Sequence, residues 1–299
     1  MAKTDTDAKR IPEAKVKTKK VDAQSEYISL DFKGLSLPWA ILLGVMMFTA
    51  GIGSALYFGL KARPVAPTDG TATITPTPTK TFAATEFPEV SLAYVEGPQI
   101  GDEKAKVVIL EFSDLVCPYC KQFHDVSYGT VNDQYIKKGK ARLMYKFYPL
   151  SFHNPAATLA SKAAYCVETL YSDAKMFEFV DLFFKNSNAV VQNAYDSQNN
   201  PLINIKDKEF FALFSKISVD SGKIKTCMSS AEATARITSD GAELTKFQDD
   251  VVAKGLADGL GTPTFVIGVV KNGVLTGRFI NGAYPVVAFQ NVIEEQLKK

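Results

Sequence analysis

The sequence predicts an α/β domain with a helical block, held at a membrane by one N-terminal helix. Three observations lead there. Residues 34–60 contain no charged side chain. The later chain alternates short β-branched runs with helical stretches. A Cys-Pro-Tyr-Cys sequence follows the first of those runs.

Residues 1–36 mix acidic and basic side chains with few apolar ones, the composition of a disordered tail. Residues 37–60, LPWAILLGVMMFTAGIGSALYFGL, would extend about 36 Å as a helix, enough to cross a hydrocarbon core of about 30 Å. Trp39 and Tyr57 stand near its two ends, as interfacial aromatics do. The run exceeds the apolar part of a signal peptide, and no small-x-small site follows it, so it reads as an uncleaved anchor in the lipid bilayer. Lys3, Lys9, Arg10, Lys15, Lys17, Lys19, Lys20 and Lys33 precede the span; Lys61 and Arg63 follow it. The positive-inside rule then leans toward a single-pass protein of the cell membrane, with a cytoplasmic N-terminus and the folded part extracytoplasmic. Residues 61–88 hold eight threonines and five prolines and read as an extended, semi-rigid linker.

The folded part is expected over residues 89–299. The run VVILEF within 106–113 predicts a buried strand. A helix is expected over 117–126 and a second strand over 141–149. Residues 154–260 are helical in pattern, with an Asn/Gln-rich stretch at 192–201 that looks like an added loop. Residues 264–271 and 274–281 predict two strands, and Asn272-Gly273 between them suits a type I′ hairpin turn. Pro285 opens a last helix to Leu297, since proline is tolerated in a first turn.

Hydrophobic residues make up 46% and charged residues 22% of the chain, and the net charge is +2. Nothing there draws the chain to nucleic acid. With two histidines, four cysteines and no acidic cluster at ligand spacing, neither a metal nor another cofactor is called for.

The Cys117-Pro118-Tyr119-Cys120 sequence is a redox arrangement for a physical reason. Two intervening residues let the sulfurs meet across one helical turn. The leading sulfur then lies by unpaired N–H groups and the positive end of the helix dipole. That setting favours the thiolate, which is both nucleophile and leaving group. Cys117 is therefore expected to be the accessible, attacking and attacked sulfur, and Cys120 the resolving partner. A zinc site also begins with CxxC, but Cys166, Cys227, His124 and His153 do not supply a second ligand pair at suitable spacing.

The stretch Glu111-Phe112-Ser113-Asp114-Leu115-Val116-CPYC-Lys121-Gln122-Phe123-His124 resembles the active-site signature of the DsbA-like thioredoxin-fold oxidoreductases. Gly261-Thr262-Pro263-Thr264-Phe265 resembles their cis-proline loop. Phe147-Tyr148-Pro149-Leu150 with His153, and the Ala-rich stretch leading to Cys166, fit the same family. The resemblance covers residues 89–299 and implies a thioredoxin fold with an inserted helical domain at about 154–260. It implies a cis Thr262–Pro263 bond beside the cysteine pair, where the Thr262 backbone pairs with substrate. It implies a buried acid at Glu111, with a raised pKa, that takes the proton of Cys120. Pro118 and Tyr119 are implied to tune the potential and touch substrate. For Cys166 and Cys227 the residues leave two buried thiols or a bridge; related proteins often carry a disulfide there. His124 is expected to pack, and His153 to serve a turn or cap. The family's strong oxidants often carry histidine in the dipeptide, where this chain has Tyr119.

The expected function is thiol–disulfide exchange on exported proteins, with disulfide formation favoured. Electrons would leave through a membrane partner of the DsbB-like or VKOR-like kind. The alternatives are an extracytoplasmic disulfide reductase, which runs the same residues in reverse, and a non-catalytic binding or chaperone module in which the CxxC is only a staple.

Overall fold

The computed structural model describes residues 81–299. The expected tail, the anchor at 37–60 and most of the linker lie outside the described residues. Among the described residues no helix is long and apolar enough to cross a membrane.

Packing starts earlier than the expected Glu89. Phe82 and Phe87 are buried, and both rings meet Tyr284 edge-on, with centroids 5.5 and 5.1 Å away. A Thr/Pro-rich composition concealed these two aromatics, which join the last residues assigned to the linker to the folded core.

A six-stranded sheet forms the centre, in the order β1-β8-β7-β3-β4-β2. Its strands are β1 (Glu89–Ala93), β2 (Gln99–Gly101), β3 (Val107–Ser113), β4 (Ala141–Phe147), β7 (Thr264–Lys271) and β8 (Val274–Asn281). β3 runs parallel to β4 and antiparallel to β7. All seven residues of β3 are buried, as a continuous apolar strand in mid-sheet requires. The pleat divides them. Val107 and Ile109 face one core, while Val108, Leu110 and Phe112 face another on the far side of the sheet. Asn272 and Gly273 join β7 to β8 with φ of 52° and 74°, the left-handed values of the expected turn. β1 and β2 were not anticipated. They are short edge strands of five and three residues, too brief for a clear alternation.

Helix α1 (Pro118–Phe123) follows β3. It continues to Ile136 with wider π-type turns at His124–Tyr128 and Asn132–Ile136. The inserted block holds α2 (Ala156–Leu170), α3 (Asp173–Val190), α4 (Asp207–Lys216), α5 (Ser221–Met228) and α6 (Ala231–Ala253). The stretch expected as a loop at 192–201 instead contributes to a hairpin, β5 (Val191–Tyr195) with β6 (Pro201–Ile205). Neither strand alternates buried with exposed residues, so burial left no alternating pattern to read. Helix α7 (Val286–Leu297) closes the chain, and its Phe289 packs with Phe123 and Phe265 beneath the cysteine motif.

The insertion is bolted to the sheet by buried charge. Asp240 of α6 accepts the Phe147 backbone N–H at 3.0 Å, and Arg236 Nε lies 3.1 Å from its carboxylate. Lys146 of β4, 1% exposed, places Nζ 3.0 Å from Glu243. Such pairs are costly to break because each leaves an uncompensated buried charge. Cys166 of α2 and Cys227 of α5 form a disulfide, closing a sequence separation of 61.

Candidate active site

Strand β3 ends at Ser113, and four residues later Cys117 takes the N-cap position of α1 with Pro118 in its first turn. The turn between is fastened by Asp114. Its carbonyl accepts the Cys117 N–H at 3.0 Å, and its Oδ1 accepts the Val116 N–H at 2.8 Å.

Cys117 and Cys120 carry free thiols in unlike surroundings. The Cys117 thiol is lowered to about 6. The main cause is a hydrogen bond from the Cys120 thiol. The Thr262 side chain and the backbone N–H groups of Cys120 and Tyr119 add to it against the cost of burial. Cys120 is fully buried and pushed well above its ordinary value, first by loss of solvent, then by its hydrogen bond to Cys117 and by the charges of Cys117 and Glu111. The Asp114 N–H points at its sulfur from 3.4 Å. One sulfur is thus ready to ionise and the other is held as a thiol.

The expected accessibility of Cys117 is met only in part. The residue is 3% exposed, yet it borders a cleft of about 320 Å³. The far wall is Ser187 and Asn188 of α3 with Val191, Gln192 and Asn193 of β5. The helical insertion and its hairpin therefore recess the sulfur. On another side Cys117 Sγ donates to the Thr262 carbonyl at 3.3 Å. The Thr262–Pro263 bond is cis, and so is Asn154–Pro155, which was not anticipated. Tyr119 is 62% exposed and lines a second, shallow cleft with Thr262 and Gln122.

Glu111 lies on the face of β3 that carries Ile109, under α1, and is wholly buried. Its Oε1 is 3.5 Å from His124 Nε2. His124 packs as expected, its ring 4.5 Å from Phe184 and 4.9 Å from Tyr128, and it also borders an outer cleft with Tyr128 and Asp181. His153 occupies a short 3₁₀ turn, Ser151–His153, in keeping with the turn role, but its ring does more. Nδ1 meets Asp114 Oδ2 at 2.7 Å. Asp114 and this pairing were missed; Asp114 stands in the quoted motif three residues before Cys117, but its partner lies 39 residues on. Cys166 and Cys227 sit in the insertion, on α2 and α5. Among the described residues no three metal-ligating side chains cluster.

The family model described as thioredoxin matches residues 94–271. Disulfide bond formation protein D of Bacillus subtilis (strain 168) is 31% identical over 67 residues, 22% of this chain. The match spans 29% of that curated relative's length. The crystal structure of Wolbachia pipientis alpha-DsbA1 superposes with a TM-score of 0.51 at 17% identity, covering 67% of this chain and 90% of that one. That likeness shows the fold. The oxidised BdbD structure from Bacillus subtilis gives a TM-score of 0.47 at 19% identity, over 70% of this chain and 100% of that one.

Proposed function

The chain belongs to the thioredoxin family, and from that premise we propose that it is a DsbA-like, membrane-anchored thiol–disulfide oxidoreductase that forms disulfides in exported proteins. One observation carries the reading: a cysteine pair whose first thiol is lowered to about 6 while the second is buried and raised. A stabilised thiolate favours the reduced form of the pair, and a pair that favours being reduced is an oxidant toward others.

In the working direction the pair begins as a disulfide. A substrate thiolate attacks Cys117 Sγ; the Cys117–Cys120 bond breaks, and Cys120 leaves with the electron pair and takes up a proton. A second substrate thiolate attacks the substrate sulfur of the mixed disulfide and releases Cys117 as a thiolate. Two substrate thiols are oxidised and the pair is reduced. Glu111, buried beside Cys120, serves as the group that exchanges its proton. Thr262 presents backbone to the substrate chain, and Tyr119 offers it an exposed aromatic surface. Residues 37–60 anchor the domain outside the cytoplasm. A DsbB-like or VKOR-like membrane protein takes the two electrons.

The test is the equilibrium potential of the pair in glutathione buffers, together with oxidative refolding of a reduced protein. An oxidising value and loss of refolding in Cys117→Ala support the reading. A value near that of thioredoxin, about −270 mV, overturns disulfide formation. Full activity in Cys117→Ala overturns exchange chemistry altogether.

A further inference from the structure

Asp114 is wholly buried below the CxxC turn, and its carboxylate is fully engaged. Oδ1 takes the Val116 N–H; Oδ2 takes the Leu150 N–H at 3.0 Å and lies 2.7 Å from His153 Nδ1. Its own N–H reaches Cys120 Sγ and its carbonyl takes the Cys117 N–H. A carboxylate in this position is a poor neighbour for a thiol that must ionise, because like charges oppose each other. Among the described residues His153 is the ionisable basic side chain paired with it.

We propose that His153 is a positioning residue for the exchange reaction: seated on Asp114, its imidazolium cancels the carboxylate charge under the turn and holds Cys117 as the thiolate. Its part in exchange rests on the function proposed above; the charge relation itself can be read separately. The titration of His153 agrees with the geometry. It is raised first by the hydrogen bond to Asp114, and the charge of Cys117 raises it further. Coupling between two sites is reciprocal, so what the thiolate does for the imidazolium, the imidazolium does for the thiolate. β6 and α2 both pack on the Ser151–His153 turn. Neither β6 nor the first turn of α2 carries a titratable side chain, so Asp114 and Cys117 are the groups that act on the ring.

Alkylation of Cys117 by iodoacetamide in the reduced full chain, followed against pH, reads the thiolate without any disulfide substrate. His153→Gln is expected to raise the midpoint by on the order of one pH unit. Adding Asp114→Asn is expected to bring it down again, since the charge that His153 balances is then gone. Equal midpoints in wild type and His153→Gln, or a double variant no lower than the single, overturn the proposal. Should the variants unfold, NMR titration of His153 in the wild-type protein decides. Its pKa is expected to fall when Cys117 is methylated, and an unchanged value overturns the proposal. Failure of wild-type protein to oxidise substrate, with the midpoints moving as stated, would remove the function and leave the charge relation in place.

Discussion

Cys117 Sγ lies 3.3 Å from the carbonyl oxygen of Thr262, a residue 145 positions further along the chain. The Thr262 side chain also favours the thiolate, after the larger effect of the Cys120 thiol. Two substitutions separate these effects. Cys120→Ala should raise the ionisation midpoint of Cys117 more than Thr262→Ala does, and both should raise it above about 6. Thiolate absorbance against pH measures each one.

Glu111→Gln keeps the volume of the buried side chain and removes its ability to hold a proton. The step that releases or protonates Cys120 should slow by about 100-fold, the lower range for general acid–base catalysis. The second attack, which resolves the mixed disulfide and releases Cys117, should change far less. Quenched-flow trapping of the mixed disulfide distinguishes the two steps, and equal slowing of both would remove Glu111 from proton transfer.

The reduced protein should gain stability over the oxidised one as the pH rises. An acid whose folded-state pKa is lowered stabilises the fold above its unfolded value and loses that contribution as the pH falls through the folded value. For Cys117 the limits are 9.0 and about 6. The difference in denaturation free energy between reduced and oxidised chains should therefore grow from pH 6 to pH 8 by a few kcal/mol, at about 1.4 kcal/mol per pH unit. Urea denaturation at the two pH values tests this, and a difference independent of pH would contradict it.

Removing the Cys166–Cys227 bridge with paired alanines should destabilise the domain by about 4 kcal/mol on chain-entropy grounds, for a sequence separation of 61. That corresponds to a fall in Tm on the order of 10 °C for a domain of this size. The alkylation midpoint of Cys117 should stay where it is, because the bridge joins α2 to α5 within the insertion.

Much of this was legible because the deciding signals are local. The buried strand β3, the Asn272-Gly273 turn and a proline-led cysteine motif each need only neighbouring residues to declare themselves. The hairpin β5–β6 did not, since its strands carry no alternation of buried and exposed residues. Phe82 and Phe87 were hidden by the composition around them, although their rings belong to the core. The partnership of Asp114 with His153 depends on the 3₁₀ turn being folded back over the motif, which no spacing in the sequence announces.

The recess around Cys117, which leaves the residue 3% exposed, has a bearing on timing. A cysteine fixed in a finished tertiary structure has no slack with which to enter a narrow opening, whereas one on a loose stretch of chain does. Under the proposed function, clients are met while still pliable, and the order in which their cysteines pair follows the order in which those segments cease to be loose. The recess around this sulfur would in this way act as a clock on maturation.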